Sequence, residues 1–179
     1  MVGITRAGAE AEDIFETLVY CALKTEKASH GDKRVILPDN SVHNVEIKKV
    51  GAQVGGSANQ VRAVKYQTLV IFTPARRYRW IVIPPNIVVE KIAERSRGQH
   101  SEVAFECATL SLGGWTAPYF CGDGDLEAKV LEAIEEGERY PLLKRSMELL
   151  LLDLKRTSYR ARREVRRIIA TGLKPEYWS

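Results

Sequence analysis

The sequence predicts an α/β (α+β) fold: a mixed central sheet flanked by helices, followed by a helical C-terminal region. Three observations carry this. Between residues 6 and 112, apolar residues switch between a helical and a two-residue period in the order α-β-β-α-β-β-α-β. Beyond Gly113 the pattern turns helical throughout. The chain has 179 residues, of which 45% are hydrophobic and 28% charged. With a mean hydropathy of -0.22, that suits one core domain with a small appendage and excludes a disordered chain.

Taken in order, residues 6–25 read as a helix, because Ala11, Ile14, Phe15, Leu18, Val19 and Ala22 recur at helical spacing. Residues 26–33 are polar and loop-like. Residues 34–37 form a short β run stopped by Pro38, and Asp39, Asn40 and Ser41 have turn chemistry. Residues 42–50 alternate apolar and polar, as a half-buried strand does. Residues 51–59 form a glycine-bearing loop that opens a short helix to about Tyr66. Two strands follow, 68–73 and 78–83, rich in Val, Ile and aromatics. A helix over 86–97 and a strand over 103–112 complete the core, so residues 1–112 form one unit. Residues 113–179 form the helical region, expected to serve an intermolecular contact or dimerisation. Asp125 is placed to N-cap a helix over 126–136 that Gly137 ends. A second helix starts after Pro141, and a third runs from Ser158 to Gly172. Positions 143, 147, 150, 151 and 154 give the second helix a broad apolar stripe, for packing within the chain or across a dimer.

Composition excludes several classes. No apolar run approaches the length of a bilayer span, and the first residues lack the order of a signal peptide. Cys21, Cys107 and Cys121 are odd in number and form no C-x-x-C, so they read as buried thiols of an intracellular, cytoplasmic protein. His30, His43 and His100 stand too far apart for the usual zinc spacings. No nucleotide-binding motif is present, so no nucleotide cofactor is expected. The net charge of +4 is small, but its placement is uneven. Acidic residues gather in the first helix and near Glu132, and arginines in the last helix.

One stretch carries chemistry: Pro38-Asp39, six residues, then Glu46-Ile47-Lys48. On a strand, Glu46 and Lys48 project to one face while Val45 and Ile47 turn to the other. Asp39, at the preceding turn, is expected to approach the same point. Two carboxylates and the Ile47 carbonyl make a hard, oxygen-rich site suited to Mg2+, with Mn2+ able to substitute. A lysine beside that ion can orient an attacking water or oppose developing charge.

This pattern resembles the signature of the PD-(D/E)xK nuclease superfamily, which includes type II restriction endonucleases and archaeal junction resolvases. The likeness spans roughly residues 7–112. Family members place a glutamate-bearing helix before the motif strand, and here that helix carries Glu10, Glu12 and Glu16. The resemblance implies a restriction-endonuclease-like core and a prokaryotic source. It implies Asp39, Glu46 and Lys48 as catalytic residues, completed by Glu12 or Glu16, with Asp39, Glu46 and Ile47 holding the metal. It further implies a Mg2+-dependent endonuclease on double-stranded DNA, acting as a homodimer at a short specific site. A Holliday-junction resolvase-like enzyme is the alternative within the class. A non-catalytic protein using the basic C-terminal helix is the alternative outside it.

The expected DNA contacts are Lys49, then Ser57, Asn59 and Gln60 as a phosphate cradle of free amides at a helix start. Arg76 and Arg77 at a hairpin tip add to these, with Lys65 a further phosphate candidate. On the last helix, Arg162, Arg163, Arg166 and Arg167 form a basic face. Each also has a plainer reading as a solvated surface residue.

Overall fold

The computed structural model describes residues 6–19, 23–27, 32–51, 56–74, 76–94, 98–99 and 105–155. Helix α1 (Arg6–Leu18) is followed by a hairpin-linked set of strands, β1 (Lys24–Lys27), β2 (Lys33–Ile36) and β3 (Val42–Lys49). Strand β4 (Ser57–Val61) and a 3-10 turn (Ala63–Lys65) lead to β5 (Thr68–Phe72) and β6 (Trp80–Ile83). Then come α2 (Pro85–Ala93), β7 (Ala108–Ser111), β8 (Phe120–Cys121), α3 (Leu126–Glu138) and α4 (Pro141–Lys155).

Six strands form one mixed sheet in the order β1-β2-β3-β5-β6-β8, and β4 pairs with β7 as a separate antiparallel ribbon. Among the described residues, only the β3–β5 pairing is parallel; it sets Glu46 beside Leu69 and Lys48 beside Ile71. Every residue of β5 and β6 is buried, as their Val- and Ile-rich composition requires of strands covered on both faces.

Helices cover the two faces with separate apolar layers. On one, α1 and α3 lay Ala11, Phe15, Leu126, Val130 and Ile134 over Val45, Ile47, Val70 and Val82. Phe15 is fully buried and meets the Trp80 ring edge-on, with centroids 6.3 Å apart. Burying such a ring stabilises the layer by about 2–3 kcal/mol. The other layer joins Leu69, Ile71 and Ile83 to Val88 and Ile92 of α2, Ala58 and Leu110 of the ribbon, and Leu143, Met147 and Leu150 of α4. The apolar stripe of α4 therefore packs within the chain, while Leu142, Leu149 and Leu152 remain exposed.

The mixed sheet flanked by helices matches the expected class, with differences in detail. Residues 24–27, expected in a helix end and polar loop, form edge strand β1, because pairing with β2 overrides their weak local preference. Residues 57–61 are a strand, not a loop opening a helix. The region after Gly113 is not purely helical: Phe120–Cys121 extends the main sheet beside β6, and α3 packs on that sheet. Residues 113–138 thus belong to the same body as the core. Asp125 sits at the start of α3 but makes no side-chain capping bond. Gly137 does not end α3, which runs on to Glu138. A Cβ at Gly137 would meet the Pro85 ring at 2.7 Å, so the glycine serves close packing of α3 on α2. Its carbonyl accepts a hydrogen bond from the Tyr66 hydroxyl at 2.8 Å. Asp123 accepts bonds from the Arg79 guanidinium and from Trp80 Nε1, the latter at 2.9 Å, and the Arg79 contact holds its carboxyl below the usual range. The expected third helix over 158–172 lies outside the described residues, as does Cys21; Cys107 and Cys121 are buried free thiols.

Candidate active site

The pleat of β3 does what its alternating sequence implies. Val45 and Ile47 enter the α1 layer. Glu46 and Lys48 project to the opposite face, beside Leu69 and Ile71. Glu46 is 4% exposed, and a buried carboxylate must be compensated. Its Oε1 takes an ion pair from Lys48 Nζ at 2.9 Å. Its Oε2 accepts a hydrogen bond from Gln67 Nε2 at 2.9 Å and a longer one from the Arg62 backbone at 3.4 Å. The two oxygens are thus divided. Gln67 and the backbone fix Oε2, and Oε1 faces the Lys48 ammonium.

The second carboxylate is Asp32. Strands β2 and β3 pair antiparallel with Lys33 opposite Val45 and Ile36 opposite Val42. Continuing that register places Asp32 opposite Glu46. The Asp32 Oδ2 accepts the Ile47 N–H at 2.6 Å. Burial pushes the Asp32 carboxyl above the ordinary carboxylate range. The Ile47 bond and the nearby Lys48 and Lys65 pull it back, and Glu46 pushes it further up. Lys65, in the 3-10 turn beside this group, is held below the usual lysine value by burial and by Arg62.

Asp39 stands elsewhere. It lies in the β2–β3 turn, fully exposed, with Oδ1 accepting the Ser41 N–H at 2.8 Å, and its bonds to Ser41 keep its carboxyl low. Glu46 lies four residues along β3 from Val42, a separation of about 13 Å at strand rise. The structure therefore brings Asp32, not Asp39, to Glu46, Ile47 and Lys48. The antiparallel hairpin is the physical reason: its turn is the point of the strand pair farthest from the open ends.

The helix glutamates also separate. Glu16 pairs with Lys33 at 2.6 Å, and Glu10 pairs with Lys49 at 2.7 Å, both on the α1 face of the sheet. Lys49 is thereby engaged with α1. Glu12 is half-buried on α1 between these two anchors. Ser57 begins β4 opposite Ser111. The Gln60 amide is not free for a phosphate, because it donates to Gln99 Oε1 at 2.9 Å, and residues 57–61 form a strand rather than a helix start. Arg76 lies over the Phe120 ring at 5.2 Å and Arg77 over the Tyr78 ring at 5.6 Å. Arg162, Arg163, Arg166 and Arg167 lie outside the described residues.

Sequence reasoning missed Asp32 and Gln67. A signal for Asp32 was present: a hairpin turning about residue 39 pairs residues whose numbers sum to a constant, and 32 then falls opposite 46. Gln67 carried no local signal, since it is brought to Glu46 by the chain entering β5.

Among the described residues, no three His, Cys, Asp or Glu side chains are grouped to hold a metal ion. The donor set that exists is Asp32, Glu46 and the Ile47 carbonyl. It fits Mg2+, which takes one or two carboxylates and keeps most of its water. Clefts of about 290 Å³ and 140 Å³ are lined by none of Asp32, Glu46 and Lys48, although Lys65 lines the smaller one. No protein-family model, curated protein or solved structure matches the chain.

Proposed function

We propose that the chain is a Mg2+-dependent endonuclease that hydrolyses phosphodiester bonds in double-stranded DNA. The observation that carries this reading is the grouping of Asp32, Glu46 and Lys48 around β3, with Asp32 on the Ile47 N–H and Lys48 on Glu46. Asp32 and Glu46, with the Ile47 carbonyl, are assigned as metal ligands. Bound there, Mg2+ supplies Lewis acidity and a water of lowered pKa.

The chain's own groups have distinct tasks. Gln67 and the Arg62 N–H hold Glu46 Oε2, which leaves Oε1 to Lys48. Lys48, paired with Glu46 Oε1, is the cation of the group that would offset charge building on a phosphate's oxygens. Lys65 adds a second positive group beside the same carboxylates. Arg76 and Arg77 remain as backbone contacts.

The test is incubation of the purified protein with supercoiled plasmid and with a synthetic four-way junction, in Mg2+ and in EDTA. Mg2+-dependent nicking or linearisation of the plasmid supports the reading. Discrete fragments place the enzyme in the restriction class, and cutting confined to the junction reassigns the substrate to branched DNA. No cleavage with any divalent metal refutes an endonuclease.

A further inference from the structure

The β4–β7 ribbon carries a local distortion beside the candidate site. Ala58 and Val61 of β4 are buried against Leu110 and Ala108 of β7, yet the register shifts between them. The shift is a bulge, and it turns two consecutive residues, Asn59 and Gln60, to solvent. Gln60 holds a left-handed backbone with φ of 57°, a conformation that strains a residue with a side chain. Surrounding groups enforce it. Gln99 Oε1 accepts the Gln60 N–H at 2.9 Å, and the Gln99 amide is itself tied to the Cys107 carbonyl at 2.7 Å. The Thr109 hydroxyl lies 3.1 Å from both Asn59 Oδ1 and Gln99 Oε1.

The result is a strand pair with one apolar face in the core and an amide-rich face outside. A two-stranded ribbon fits the major groove of B-DNA, and Asn or Gln side chains there pair bidentately with adenine. The ribbon is continuous with the candidate site, because Arg62, two residues past Gln60, donates its N–H to Glu46. We propose that the bulge of β4 is the sequence-reading element of the enzyme, with Gln60 and Asn59 contacting base edges and Gln99 and Thr109 acting as positioning residues. This rests on the endonuclease reading for its substrate, duplex DNA, and differs from a phosphate cradle in using side chains rather than amides.

The experiment is selection from duplexes with a randomised centre, with Ca2+ in place of Mg2+, using the full chain and the variants Gln60→Gly and Asn59→Ala. Gln60→Gly keeps the left-handed backbone and deletes only the side chain. The wild type is expected to enrich an adenine-containing motif. Gln60→Gly should lose about ten-fold or more of the preference at one position, while non-specific affinity and its salt slope stay unchanged. Gln60→Asn, which retains an amide, should restore part of the preference. Enrichment of the same motif by both variants, or of no motif by the wild type, overturns the proposal. Plasmid cleavage measured in parallel reports separately on the endonuclease reading: a wild type that cuts without base preference sinks only the inference drawn from the bulge.

Discussion

Replacing Lys48 by Met deletes one charge and keeps most of the side-chain volume. Glu46 is 4% exposed, and Lys48 pairs with its Oε1 at 2.9 Å. Breaking a fully buried pair from one side costs about 3–5 kcal/mol. The Lys48 side chain is 24% exposed, and Gln67 still holds Oε2, so the cost here is about 2 kcal/mol. For a chain of this length that lowers Tm by about 4–8 °C. Thermal unfolding in EDTA measures it. The double variant with Glu46→Gln should recover most of the loss, because the orphaned charge is gone. Added Mg2+ should raise Tm more in the single variant than in the wild type, since the ion then has no ammonium to displace. A coupling energy under about 0.5 kcal/mol between positions 46 and 48 would mean a solvated surface pair, and the argument from burial would fail.

Two further predictions follow from packing and from titration. Gly137→Ala should destabilise by about 1–2 kcal/mol: overpacking against Pro85 at 2.7 Å exceeds the gain of about 1 kcal/mol in helix propensity, whereas Gly124→Ala, with open space around it, should be neutral or slightly stabilising in the same melts. His43, near Ser41 Oγ at 3.1 Å and Glu138 at 3.5 Å, is held below its ordinary value of 6.5 by burial and by Lys144, against the pull of Glu138 and Asp39. Its folded value is the lower one, so the unfolded chain binds more protons. Stability is therefore full above pH 6.5 and falls as pH drops below it. His43→Gln should flatten that part of the Tm-against-pH curve, and an unchanged slope would remove His43 from the account.

Much of the fold was readable because its signals are local. The buried runs of β5 and β6, the alternation in β3 and the apolar stripe of α4 each announce their own element. Strands β1, β4 and β8 were not readable, because Lys24–Lys27 and Ser57–Val61 have little strand character, Phe120–Cys121 is only two residues long, and all three exist through pairing with β2, β7 and β6. The candidate site divides in the same way. Glu46 and Lys48 share a face because of the pleat, which two residues suffice to specify. The partner of Glu46 depends on hairpin register, and there Pro38-Asp39 imitates a motif while serving as a turn. Asp32, flanked by glycine and lysine, resembles a loop residue until the register of β2 against β3 is drawn.

The most direct measurement compares Mg2+-dependent plasmid cleavage by Asp32→Ala and Asp39→Ala with the wild type, each checked for unchanged folding by circular dichroism. The account predicts a fall of about a hundred-fold or more for Asp32→Ala and less than about three-fold for Asp39→Ala. An active Asp32→Ala, or a wild type that leaves DNA intact with every divalent metal, would contradict it.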